Sequence, residues 1–488
     1  MKINFDNSYE KLGENFFQKI NPTPVSDPQW IQWNEELARE LGLPENLASQ
    51  PETLEVFSGN KILSTGSYLS MAYAGHQFGH FVPQLGDGRA ILLGEVIDRS
   101  GRRRDIQLKG AGRSKFSRQG DGRSALGPVI REYLMSEAMW ALKVPTTRAL
   151  AAVLTGEWVA RETPLPGAIF TRVASSHIRV GSFEYFSARQ DFVSLKKLVD
   201  YSIDRHWATQ FLEDEQKSPS TFLLRMFSEA QASLIVQWLH LGFIHGVMNT
   251  DNTSLVGETI DYGPCAFMDE FNPDQVFSSI DRHGRYAFGN QPAIAQWNLL
   301  CLFESLRPLL EKEISSTASL EDLQHEISET FADQFRDKYL KAGLRKLGIS
   351  DYREADQALF VDFLEEMHKN SLDFTLSFSS LRNQNPSLPS LSQFSREWVE
   401  RWIRRRQDQD LSWEESEDIL CQSNPYLIPR NHLIQRAIDE AISHQNFSEM
   451  KSLLEASKKP FELPLAKDSH YLSGPKEHEK VRQTFCGT

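Results

Sequence analysis

Apolar positions along the chain follow two rhythms, and the change falls near residue 193. Upstream, short apolar runs are bounded by glycine and polar clusters. Residues 90–97 (Ala-Ile-Leu-Leu-Gly-Glu-Val-Ile) and 105–108 (Asp-Ile-Gln-Leu) predict two strands, with a hairpin turn at 98–102 between them. Further strands are expected over 149–161 and 168–173. A helix is expected over 128–142, with Pro128 at its first position, where a missing N–H costs nothing. Proline and asparagine turns fill the first sixty residues around one amphipathic helix expected at 28–41. Downstream, Leu223, Met226, Phe227, Ala230, Leu234, Trp238 and Leu241 recur every three or four residues, the spacing of a helix with one buried face. The Met and Trp of that stripe read as core. More helices are expected at 296–309, 321–342 and 353–370. A Ser/Asn/Pro-rich loop is expected at 377–392, then a helical section over 393–456 and a polar tail. No internal repeat or low-complexity tract interrupts this order. The fold class is α+β: a β-rich segment with one prominent helix, followed by a larger helical segment.

Charge narrows the function. The 488 residues carry 53 Lys+Arg against 66 Asp+Glu, a net −13, which argues against a protein that grips nucleic acid. One stretch departs from that balance. Residues 101–123 hold Arg102, Arg103, Arg104, Lys109, Arg113, Lys115, Arg118 and Arg123 against only Asp105 and Asp121. A compact cationic island of this kind suits one polyphosphate ligand. Absent a signal-peptide pattern and a long apolar run, the expectation is a cytoplasmic protein with no membrane segment. Cys265, Cys301, Cys421 and Cys486 form no C-x-x-C pair, so neither a structural zinc site nor a disulfide framework is expected.

Four features carry chemistry, and their order matters more than any one of them. The first is Gln84-Leu-Gly-Asp-Gly-Arg-Ala90, a glycine turn opening onto a strand, where backbone N–H groups can cradle an anion. Second, Lys109 ends the next predicted strand. Third, the following helix carries Glu132 and Glu137, either of which could clamp that lysine, as a strand Lys and helix Glu pair in kinases. Fourth, His245-Gly-Val-Met-Asn-Thr-Asp-Asn252 and then Asp261-Tyr-Gly263 follow the amphipathic helix. This segment aligns with the kinase pattern His-Arg-Asp-Leu-x-x-x-Asn and Asp-Phe-Gly. Asn252 and Asp261 are the oxygen ligands a nucleotide-bound Mg²⁺ needs. The kinase catalytic Asp would fall at Val247, which cannot accept a proton. Asp251 is the nearby carboxylate that could replace it. His76 and His80, four apart, could share a metal if helical, but no acidic partner follows them. A structural role is the simpler reading.

The runs Tyr73-Ala-Gly-His-Gln-Phe-Gly-His80, Pro83 to Ala90, Leu108-Lys-Gly-Ala-Gly-Arg113, Arg118-Gln-Gly-Asp-Gly-Arg123, Gly246 to Asn252 and Ile260-Asp-Tyr-Gly-Pro264 resemble the selenoprotein O (SelO, YdiU) family over nearly the whole chain. The resemblance implies a protein-kinase-like two-lobed fold: an N-terminal extension over 1–60, an N-lobe over 61–175, a C-lobe over 176–375 and a helical extension over 376–488. It implies a protein adenylyltransferase that moves AMP from ATP to Ser, Thr or Tyr hydroxyls, with Mg²⁺ or Mn²⁺ as cofactor and the nucleotide flipped relative to kinases. UTP is a further possible donor, because the base pocket is not legible. Residue by residue, Gly86, Gly88 and Arg89 would form the nucleotide loop, and Lys109 would contact phosphates and pair with Glu132 rather than Glu137. Asp121 and Gly122 would touch the nucleotide, and Arg172 and Arg179 would reach its phosphates. Asp251 would accept the proton, and Asn252 and Asp261 would hold metal. Cys486, third from the C-terminus, would be a redox thiol, with Cys265 its nearest candidate partner. The rival readings are an ATP-dependent phosphotransferase and a nucleotide-binding pseudokinase scaffold.

Overall fold

The computed structural model describes residues 3–213, 215–314, 317–383 and 391–485. Ten strands form its N-terminal part: β1 (Phe17–Lys19), β2 (Gln29–Trp33), β3 (Leu69–Met71), β4 (Gly75–Gln77), β5 (His80–Val82), β6 (Ala90–Ile97), β7 (Arg103–Lys109), β8 (Ser124–Ala125), β9 (Arg148–Val159) and β10 (Leu165–Ala174). Eight of them make one antiparallel sheet in the order β1-β3-β6-β7-β10-β9-β2, with β8 added to β10, while β4 and β5 pair as a separate hairpin. The turn between β6 and β7 is built by Asp98, whose carboxylate accepts the backbone N–H groups of Ser100 and Arg102.

Strand alternation divides the sheet's side chains between two cores. Ile91, Leu93, Ile106, Leu108, Ile169 and Val173 pack under α1 (Glu35–Glu40) and α2 (Pro51–Phe57). Leu92, Ala168 and Phe170 face the opposite side, which is covered by α3 (Leu126–Ala141) and continuous with the core of the helical region. That alternation places Gln107 and Lys109 of β7 on the α3 side. Register then sets Arg172 of β10 opposite Gln107 and Phe170 opposite Lys109.

The C-terminal part is largely helical. It comprises α4 (Val180–Ser187), α5 (Phe192–His206), α6 (Pro219–Leu241), α7 (Gln291–Glu313), α8 (Thr317–Lys346), α9 (Asp356–Lys369), α10 (Phe374–Ser379), α11 (Arg396–Gln407), α12 (Trp413–Ser423), α13 (Asn431–His444) and α14 (Ser448–Ser457). A small ladder, β11 (Phe243–Ile244) with β12 (Ala266–Phe267), frames the segment between α6 and α7. Gly242 ends α6 in the left-handed conformation, which turns the chain into β11. The last helices return to the sheet: α13 and α14 pack on α3. Trp398 and Trp402 of α11 are buried, with indole N–H groups donating to the carbonyls of Leu359 (2.9 Å) and Leu347 (2.8 Å). Among the described residues, no helix is long and apolar enough to cross a membrane.

Three expectations change, and one condition is not met. The helix expected at 28–41 divides: Gln29–Trp33 is an edge strand, rich in aromatic and β-branched residues, and α1 begins only after Asn34, whose side chain caps it by accepting the N–H of Leu37. The helix expected from Pro128 starts two residues earlier, leaving Pro128 in a first turn whose N–H groups are unpaired anyway. His76 and His80 lie on the β4–β5 hairpin, not on a helix. The loop expected at 377–392 is helical at its start, because Asp373 caps α10; residues 384–390, like Cys486, fall outside the described residues.

Candidate active site

A cavity of about 880 Å³ opens between the sheet, α3 and the segment from Val247 to Pro264. That is within the size range of small-molecule sites. All twelve residues singled out above line it: Gly86, Gly88, Arg89, Lys109, Asp121, Gly122, Glu132, Arg172, Arg179, Asp251, Asn252 and Asp261.

Its closed end is a knot of charge. Lys109 Nζ lies 2.6 Å from Glu132 Oε2 and 2.8 Å from Asp261 Oδ1. Arg172, 1% exposed, donates to Asp261 Oδ1 at 2.7 Å and to Gln107 Oε1 at 2.7 Å. Arg179, at the N-terminus of α4, donates to Asp261 Oδ2 at 2.8 Å and to the main-chain carbonyl of Asp251 at 2.6 Å. Three cations therefore share one carboxylate. Burial alone pushes the Asp261 carboxyl up, but Arg172, Lys109 and Arg179 together outweigh it and hold the group well below the usual carboxylate range. Asp261 also holds a left-handed backbone (φ +60°), which aspartate tolerates better than most residues.

Asp251 sits differently. It is 8% exposed, and its Oδ1 has no hydrogen-bond partner among the described residues. Gln77 Nε2 reaches Oδ2 at 3.4 Å. Burial pushes the carboxyl up to about 6, against the pull of Arg179. Gly75 is required beside it, because a Cβ there would come within 2.8 Å of Oδ1. The loop bearing Asp251 is clamped by the hairpin: Thr250 Oγ1 accepts the N–H of His76 (2.7 Å), and Asn249 Oδ1 accepts the N–H of Phe78 (3.0 Å) and the Tyr286 hydroxyl (2.6 Å). Asn252 donates its amide to the Val247 carbonyl at 3.2 Å, which turns its acceptor oxygen away from that bond.

The remaining residues form the mouth. Gly86 has φ +76°, and a side chain on it would strike the ring of Phe116. The Arg89 side chain makes no hydrogen bond or ion pair among the described residues, so it is a cation available to a ligand. Asp121 pairs with Arg161 at 2.8 Å and caps the N–H of Arg123. Glu137 belongs elsewhere: it binds Arg148 in bidentate fashion (2.8 and 2.9 Å), and it is Glu132 that meets Lys109. His245 stacks on Trp238 and bonds the Ile260 carbonyl, a structural position. Two site residues escaped the sequence reading. Asp87, buried between the glycines, accepts from Met71 N and Gln107 Nε2, and burial raises its carboxyl against the pull of Arg179. Gln107 links it to Arg172. Only the two-residue periodicity of β7, carried back from Lys109, could have pointed to Gln107.

The family model described as protein adenylyltransferase SelO matches residues 1–458. The chain is 50% identical over 493 residues to the protein nucleotidyltransferase YdiU of Maridesulfovibrio salexigens, covering 99% of this chain and 98% of that one. It is 49% identical to the proteins of the same description from Rhodopseudomonas palustris (497 residues, 99% of each chain) and Rhizobium rhizogenes (496 residues, 100% of this chain and 97% of that one). An α+β chain with a cation-walled cleft and such relatives is, as a class, a protein nucleotidyltransferase. More particularly, it belongs to the SelO family of protein adenylyltransferases.

Proposed function

We propose that the chain transfers AMP from ATP to Ser, Thr or Tyr hydroxyls of proteins, on a kinase-like arrangement with an N-lobe over 61–175, a C-lobe over 176–375 and extensions at 1–60 and 376–488. The observation that carries this reading is the convergence of Lys109, Arg172 and Arg179 at the closed end of the cavity, with the unpaired Asp251 oxygen on the same wall system. A kinase presents the γ-phosphorus to its acceptor. An adenylyltransferase presents the α-phosphorus, so the β- and γ-phosphates must go inward and need buried cations. Arg172 is such a cation, and Arg89 adds an uncommitted one. Bidentate guanidinium groups fix phosphate geometry and stabilise charge that develops on the leaving group.

In this reading the acceptor oxygen bonds to the α-phosphorus, the bond from that phosphorus to the bridging oxygen breaks, and pyrophosphate leaves with the electron pair. The hydroxyl proton passes to Asp251 Oδ1, an oxygen that accepts no hydrogen bond among the described residues. A carboxylate with a raised pKa suits that task near neutral pH. The donor set also fits Mg²⁺ or Mn²⁺. Asn252 and Asp261 offer hard oxygens, and Asp261 Oδ2 takes one hydrogen bond among the described residues, leaving lone-pair capacity. Bound there, the ion would neutralise phosphate charge. Lys109, Arg172 and Arg179 hold Asp261 ionised for it.

The test uses ATP labelled at the α- or the γ-phosphate, with the full chain and candidate protein acceptors. Protein label from the α-position alone supports adenylylation. Label from the γ-position alone would mean a phosphotransferase, and tight ATP binding with neither would mean a scaffold. Replacing ATP with UTP in the α-label assay decides the donor base.

A further inference from the structure

Behind the loop that carries Asp251 lies a cluster of metal-ligating side chains that transfer of a nucleotide does not use. His76 of β4, Glu184 of α4 and Cys301 of α7 place their donor atoms within 4.8 Å of one another. His76 Nδ1 is 2.5 Å from Glu184 Oε1, and the other Glu184 oxygen accepts the Thr250 hydroxyl at 2.6 Å. The Glu184 side chain is 3% exposed, so its charge is costly to bury without strong partners. The Cys301 thiol makes no hydrogen bond among the described residues. Three separate elements thus aim a nitrogen, an oxygen and a sulfur at one point, while the far edge of the cluster is closed by the ring of Trp297, 5.3 Å from that of His76.

We propose that His76 Nδ1, the Glu184 carboxylate and Cys301 Sγ form a second cation site, built for a thiophilic divalent ion of the Zn²⁺ class and separate from the oxygen ligands of the nucleotide cavity. The donor chemistry selects the ion. Imidazole with thiolate favours Zn²⁺, whereas Mg²⁺ and Ca²⁺ favour oxygen sets. The spacing is within one side-chain adjustment of a tetrahedral site, whose ligands at about 2.0–2.3 Å from the ion lie roughly 3.3–3.8 Å apart. His76 and Glu184 move apart as the ion takes the place of their shared proton, and Cys301 gives up its proton to solvent on binding. A fourth position is left for water on the exposed side of His76. Arg285, whose guanidinium stands 4.7 Å over Trp297, brings a positive charge to the same corner. A thiolate and a carboxylate offset both charges of the ion, so Arg285 meets a neutral cluster rather than a bare dication.

Cobalt(II) reports the site directly, without nucleotide or turnover. One equivalent of Co²⁺ added to the reduced full-length chain should give a thiolate-to-cobalt charge-transfer band in the near ultraviolet together with the visible bands of tetrahedral cobalt. Both should persist in excess Mg²⁺. Cys301→Ser and Cys301→Ala should each abolish the charge-transfer band. Zn²⁺ affinity, read by competition with a chromophoric chelator, should fall about tenfold or more in both and in His76→Ala. The absence of a charge-transfer band in the wild-type chain overturns the proposal, as does loss of the band to Mg²⁺. An unchanged band and Zn²⁺ affinity in the two Cys301 variants overturn it equally. None of these outcomes depends on whether the chain adenylylates proteins.

Discussion

Two carboxylates ten residues apart should respond to the same substitution with opposite signs. Asp251→Asn removes a charge that the fold barely supports. Its Oδ1 has no partner among the described residues, and Gln77 offers only a 3.4 Å contact to Oδ2. Arg179 spends its hydrogen bonds on Asp261 Oδ2 and on the Asp251 main-chain carbonyl, both retained in the variant. An unsatisfied buried polar group costs about 1–3 kcal/mol, more when charged. The variant should therefore be more stable than the wild type by about 1–3 kcal/mol at neutral pH. It should also lose a general base, worth roughly 10²–10⁴ in rate, or about 3–5 kcal/mol of barrier. Asp261→Asn does the reverse to the fold. It strips the shared acceptor from Lys109, Arg172 and Arg179, and breaking a buried pair costs about 3–5 kcal/mol. The assays are urea unfolding and the initial rate of α-label incorporation at saturating ATP. An Asp251→Asn protein that transfers within tenfold of wild type, or that unfolds at lower urea, would refute the assignment of Asp251 as an unsupported base.

Other consequences can be checked separately. Gly86→Ala places a methyl group against the Phe116 ring at φ +76°; we expect weaker ATP binding in calorimetry and a stability loss of about 1–3 kcal/mol. Glu137→Gln breaks the bidentate Arg148 pair and should cost about 3–5 kcal/mol of stability while leaving the transfer rate per folded molecule intact, whereas Glu132→Gln should lower the rate. Lys346 is buried beside the ring of Phe378, and burial lowers its pKa to about 7. Above pH 7 the unfolded chain binds this proton and the folded chain increasingly does not, so stability should rise by roughly 2 kcal/mol between pH 7 and 9. Lys346→Met should flatten that slope in urea midpoints and be the more stable protein at pH 7.

Much of the frame was legible because local pattern and tertiary demand agree. Residues 90–97 and 105–108 are short apolar runs bounded by turn residues, as strands covered on both faces require, and the apolar stripe of α6 matches its buried face. The segment 28–41 misled because Trp30, Ile31 and Trp33 satisfy helical spacing equally well; the edge of β9 and the Asn34 cap decide the matter. In the site, the order Gly–Lys–Glu–Asn–Asp was visible, but the choice between Glu132 and Glu137 rested on resemblance until geometry gave Glu137 to Arg148. Asp87 was invisible as a site residue, since its partners Met71 and Gln107 are set by strand register, not by neighbours in sequence. His76, Glu184 and Cys301 are likewise far apart along the chain, and only the packing of α4 and α7 against the hairpin unites them.

The two outer strands of the large sheet, β1 and β2, are consecutive in the chain yet lie at opposite edges. Six strand spacings separate them, about 29 Å across a flat sheet, and the ten Cα steps from Lys19 to Gln29 reach about 33–36 Å when extended. That connection is a belt with only a few ångströms of slack. It passes over the loop that follows β7, where Thr23 N–H donates to the Ala111 carbonyl and Arg123 holds the carbonyls of Thr23 and Pro24. The belt is thus fastened beside Arg123, at the rim of the cavity. It also sets an order of assembly: β1 can pair once β3 is made, but β2 must wait until β9, more than a hundred residues later, has emerged. Deleting two residues from the belt would unbuckle one edge, exposing a pairing surface to other chains and slackening the cleft rim in the same stroke.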